Sequence, residues 1–90
     1  MPQFIIESDV PGALNLSGLE LSDISTKSCT AIKELGKGIE WIHSYVAGNK
    51  IYCVYEADNE ELVRRSSEMA GLPVTTITEV TNVISPANAE

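Results

Sequence analysis

The sequence is poor in the groups from which most active sites are built. Its 90 residues include one tryptophan, one phenylalanine, one histidine and two cysteines. It contains no Gly-x-Ser-x-Gly elbow, no Walker loop, no dinucleotide-binding glycine pattern and no His-Glu-x-x-His. Gly36-Lys37-Gly38 follows a helical pattern, whereas a phosphate cradle precedes one. This inventory points away from an enzyme. Basic residues are also scarce. Six Lys and Arg face thirteen Asp and Glu, for a net charge of −7. A surface that acidic repels phosphates, which argues against nucleic acid and anionic membrane as partners. No apolar run approaches the ~20 residues of a membrane-spanning helix. The opening MPQFIIESD lacks the basic and long apolar regions of a signal peptide. The expectation is a cytoplasmic protein in which Cys29 and Cys53 are free thiols.

What is present is an ordered alternation of strand and helix signals. Gln3–Glu7 reads as a strand, stopped by Asp9-Val-Pro-Gly12. Ser17 and Glu20 have the spacing of a capping box. The helix that follows carries Leu21, Ile24, Ser28, Ala31, Ile32 and Leu35 on one face, and Gly36 and Gly38 end it. Ile39–Ala47 and Lys50–Glu56 read as a hairpin around Gly48-Asn49. Asp58 is placed to cap a second helix whose inward stripe is Leu62, Val63, Ser66, Met69 and Ala70. Gly71 and Pro73 close it. A last strand starts near Val74, and the three-residue spacing of Val74, Ile77 and Val80 predicts a bulge or bend there. The order β-α-β-β-α-β predicts a ferredoxin-like α+β fold, a four-stranded antiparallel sheet with both helices on one face. Residues 1–84 are expected to form one domain, with 85–90 as a flexible C-terminal tail.

Such a sheet leaves its other face open. With Gly48-Asn49 as the turn, alternation puts Ile42, Ser44, Val46, Ile51, Cys53 and Tyr55 on one face. Trp41, His43, Tyr45, Tyr52, Val54 and Glu56 fall on the other. The first face is the more aliphatic and is assigned to the helices. The second gathers the tryptophan, the histidine and two of the three tyrosines, which predicts an interface or a ligand site. A chain this small gains from burying that face against a second copy, so a homodimer through the open sheet is expected.

Candidate metal ligands are few. His43 offers an imidazole, and a second copy of the chain would supply further donors. Its nearest acidic company on the face is Glu56. Cys29 lies on the flank of the first helix and Cys53 points toward the helix layer. Each reads either as a small buried hydrophobe or as a sulfur ligand. In this register His43 and Cys53 project to opposite faces, which excludes a Cys–His catalytic pair.

The run LSGLELSDISTKSCTAIKELGKGIEWIHSYVAGNKIYCVYEADNEELVRR resembles a bacterial domain family of unknown function. That family is typified by a small, dimeric, nickel-binding protein with a ferredoxin-like fold. The most specific pieces are Lys27-Ser28-Cys29, Trp41–Val46 and Lys50–Tyr55. The resemblance implies the same fold, a dimer and binding of nickel or another divalent transition metal. It carries over to His43, Cys29 and Cys53. The chain departs from many relatives at Ser66, where they have a second histidine, so one imidazole is missing here. No organic cofactor is expected. The competing expectation is a dimeric α+β barrel that binds or converts a small organic ligand, with Trp41, Tyr45 and Tyr52 lining the cavity. A third is a partner-binding module with no small ligand.

Overall fold

The computed structural model describes residues 1–89. Its elements run β1 (Gln3–Asp9), α1 (Gly18–Leu35), β2 (Ile39–Ala47), β3 (Lys50–Ala57), α2 (Glu60–Met69) and β4 (Thr76–Val80). The four strands form one antiparallel sheet in the order β2-β3-β1-β4. This is the expected ferredoxin-like arrangement, with β2 and β4 as the two edges.

Local chemistry explains where the elements begin and end. Ser17 Oγ accepts from the Glu20 amide at 3.2 Å, and the Glu20 carboxylate accepts from the Ser17 amide at 3.1 Å. This capping box satisfies amides that the first turn of α1 would leave bare. Helix α2 differs from the expectation in its cap. Asn59, not Asp58, accepts from the Leu62 amide, at 3.0 Å. The Asp58 amide instead donates to the Gly38 carbonyl at 2.8 Å, which ties the start of β2 to the end of β3. Gly38 has φ +87°, and a Cβ there would lie 2.5 Å from the Asp58 carboxylate.

The core fills one side of the sheet. Phe4, Ile6, Ile51, Cys53 and Tyr55 alternate toward the helices and are buried. Val63 of α2 and Leu72 close over them, while Ile24, Ile32 and Leu35 of α1 pack from the flank. Each large apolar side chain removed from water stabilises by about 1.5–3 kcal/mol. Three buried hydroxyls, of Ser8, Tyr55 and Ser66, have no protein hydrogen-bond partner among the described residues. Met69, expected on the inward stripe of α2, is 41% exposed, and Ser67 is buried in its place.

The irregularity expected between Val74 and Ile77 falls just before β4, as a bend at Thr75, and no bulge interrupts the strand itself. Ile77 pairs with Ile6 and Val80 with Gln3 in an unbroken ladder, so the two side chains face opposite sides. Val74 precedes the strand. The bulge lies in β2 instead. Trp41 pairs with Tyr55 and His43 with Val54, which leaves Ile42 as the extra residue.

Candidate functional site

The bulge at Ile42 decides what the open face carries. A one-residue slip moves every earlier side chain to the opposite face. From Ala47 back to His43 the register is the expected one, with Tyr45 opposite Tyr52 and Ser44 opposite Cys53. Beyond the bulge the faces exchange. Trp41 joins Tyr55 on the helix side, where it packs against the core and its Nε1 donates to Ser44 Oγ at 2.9 Å. Glu40 turns to the open side, directly opposite Glu56. The expected placement of Trp41 with Tyr45 and Tyr52 is therefore corrected. The tryptophan is withdrawn from that face and a carboxylate takes its place. No glycine or proline marks the bulge in the sequence, so pattern alone gave no warning of it.

The open face that results is less aromatic and more acidic than expected. His43, Tyr45, Tyr52 and Glu56 remain on it, now with Glu40. Beside them, the register of β1 brings Gln3, Ile5, Glu7 and Asp9. Val54 is nearly covered by its neighbours, whereas Ile5 and Tyr45 are 38% and 60% exposed. His43 Nε2 lies 3.0 Å from the Tyr45 hydroxyl, and the two rings meet edge to face at 4.9 Å. The tyrosine thus fixes the orientation of the imidazole. At one end of the face Lys50 bridges Glu7 at 3.0 Å and Asp9 at 3.5 Å. The hydrogen bond that Lys50 donates to Glu7, and then the charge of Glu7, raise the ammonium pKa above its ordinary value. Among the described residues no cation pairs with Glu40 or Glu56. Like charges directly opposite each other on neighbouring strands repel.

The three expected ligands are not brought together. His43 is exposed on the open side, Cys53 is buried on the helix side, and Cys29 is exposed on α1. Burial raises the Cys53 thiol pKa, and the neighbouring Ser44 side chain only partly offsets that. A metal ligand must be a thiolate, so this environment opposes coordination through Cys53. Ser66, where the resemblance led us to expect a histidine in related chains, is fully buried beside Tyr55. Among the described residues no group of three or more His, Cys, Asp or Glu stands close enough to hold one ion. The described residues of one chain therefore do not by themselves make up a metal site.

The family model for nickel responsive proteins like SCO4226 matches residues 4–80. The chain belongs to the SCO4226-like family. Among solved structures it is similar to SCO4226 of Streptomyces coelicolor A3(2), with a TM-score of 0.74 and 21% identity. That match covers 91% of this chain and 99% of the other. At such identity the likeness establishes the fold. No curated protein matches the chain. The family name connects the chain to nickel, and no helix among the described residues is long and apolar enough to cross a membrane.

Proposed function

We propose that the protein is a small, non-enzymatic, nickel-type metal-binding protein that acts as a homodimer, with each ion held at the junction of two open sheet faces. His43 supplies one ligand, Glu56 and Glu40 offer carboxylates on the same face, and the second copy completes the set. One observation carries this reading. The chain's sole imidazole stands exposed on the uncovered side of the sheet, while the described residues of one chain gather no group of three donors for an ion. A nitrogen and several oxygens suit nickel and its neighbours in the divalent series. The Tyr45 hydroxyl would orient the ring as outer-shell partners of ligating histidines do. A cation would also relieve the repulsion between Glu40 and Glu56. The nickel-responsive family name supports the choice of metal.

The organic-ligand reading required Trp41, Tyr45 and Tyr52 around one cavity. The bulge separates the tryptophan from the tyrosines, so the three do not line one cavity.

Sedimentation velocity with and without Ni²⁺ tests the proposal. The expected result is a dimer whose self-association strengthens with Ni²⁺ and which His43→Ala uncouples from the metal. Self-association that ignores Ni²⁺ would remove the link between metal and interface.

A further inference from the structure

The bulge turns Trp41 to the helix side, where its indole lines a groove of about 400 Å³ between the first half of α1 and the edge strand β2. Leu21 and Ile24 face the groove from α1, and Ile51 reaches it from β3. Ile42 and Val46 border it on β2 and are 41% and 44% exposed, so it opens to solvent. His43 lines it too, with Nε2 3.0 Å from the Tyr45 hydroxyl. It is the one lining side chain that the groove shares with the open face.

Size and chemistry restrict what can enter. A helix is about 10–12 Å across, whereas Leu21 to Ser25 is one turn of α1, about 6 Å long. An added strand needs an unbroken edge, and the bulge at Ile42 interrupts the free edge of β2. The volume is that of a small-molecule site. The indole on one wall suits a flat ring that stacks against it. No Lys, Arg, Asp or Glu lines the groove, and the chain carries −7, so a carboxylate or phosphate meets no countercharge there. The serines at the rim differ in what they offer. Ser25 donates its hydroxyl hydrogen to the Leu21 carbonyl at 3.1 Å, which leaves its oxygen to accept. Ser44 Oγ already accepts from Trp41 Nε1 at 2.9 Å and meets Cys53. On its α1 side the groove therefore presents an acceptor, which fits a ligand with a donor.

We propose that the α1–β2 groove binds an uncharged aromatic molecule bearing a hydroxyl group, its ring against Trp41 and its hydroxyl donating to Ser25 Oγ. Ile24, Ile42 and Val46 enclose the ring and His43 closes one end. This site lies behind the sheet from Tyr45 and Tyr52, and it needs neither a metal nor a second copy.

Nuclear magnetic resonance of the full chain without added metal tests the site, because Trp41 gives the chain's one indole N–H signal. The probes are 2-naphthol and its anionic counterpart 2-naphthoate. Naphthol is expected to move the indole signal saturably, together with the amides of Ile24, Ile42 and Val46. Naphthoate is expected to bind about tenfold more weakly or worse. Ser25→Ala should lower the naphthol affinity about fivefold. Val46→Asp, which sets a carboxylate at the groove wall, should lower it about tenfold or more. Both residues are exposed, so the fold tolerates the changes. Equal affinities for naphthol and naphthoate would overturn the site. So would an indole signal that naphthol leaves in place, or an affinity that neither variant alters. Since the measurement needs no nickel and no dimer, such a failure would leave the metal reading standing.

Discussion

Trp41 and Ser44 hold the β2 bulge closed, with the indole Nε1 donating to the serine Oγ at 2.9 Å across the extra residue Ile42. Ser44 also lies against the buried Cys53 thiol. Replacing it should therefore loosen the bulge and leave a half-buried indole N–H without its acceptor. Ser44→Ala is expected to cost about 1 kcal/mol and to move tryptophan emission to the red. Denaturant melts followed by fluorescence give both numbers. An unshifted spectrum at unchanged stability would show that the hydrogen bond does not secure the bulge.

The same bulge sets Glu40 against Glu56. Without metal, Glu56→Gln removes one of two like charges and should stabilise the fold by about 0.2–1 kcal/mol. With Ni²⁺ the sign reverses, because the variant has lost a carboxylate. Thermal melts with and without Ni²⁺ measure the two differences, and the same sign in both would exclude Glu56 from the site.

Tyr55 is fully buried beside Ser66, and neither hydroxyl makes a well-formed hydrogen bond among the described residues, although Ser66 stands close enough to offset part of the rise in the phenol pKa. An unpaired buried hydroxyl costs free energy, so Tyr55→Phe should be neutral or stabilising by up to about 1 kcal/mol at pH 7. Burial first, and then the nearby Cys53, push the phenol pKa up to about 12. A group whose pKa is raised on folding contributes stability that is complete below its unfolded value and is lost as pH climbs to the folded value. For Tyr55 that window runs from about pH 10 to about pH 12. The loss is on the order of 2–3 kcal/mol. Urea titrations at stepped alkaline pH should show a flatter decline in Tyr55→Phe than in the parent chain.

Gly38 joins the two helix–strand corners. At φ +87°, with the Asp58 carboxylate 2.5 Å from where a Cβ would stand, alanine is strained and crowded at once. Gly38→Ala should lower stability by about 1–3 kcal/mol, read as a fall in Tm. Adding Asp58→Ala should recover part of that loss by removing the clash.

Most of the fold was legible because local and long-range signals agreed. The capping box at Ser17 and Glu20, the Gly48-Asn49 turn and the strict alternation of Ile51, Cys53 and Tyr55 each point to one structure. The site was less legible, for a specific reason. Alternation assigns faces only while the register is continuous, and Trp41-Ile42 gives no sign that it breaks. A tryptophan at an edge strand suits either side of the sheet, and only tertiary packing against Ile32 and the core selects the inner one. The exchange of Trp41 for Glu40 on the open face followed from that choice. Asn59 displaced Asp58 as the α2 cap for a similar reason, since the Asp58 amide was engaged by Gly38.

The central claim is that nickel is held between two chains through His43. Native mass spectrometry of the full chain with added Ni²⁺, beside His43→Ala, tests it most directly, since subunit count and bound metal appear in one spectrum. Whole nickel ions are expected on the dimer, none on the monomer, and none on the His43→Ala dimer. Nickel on a monomer, or nickel retained by His43→Ala, would contradict it.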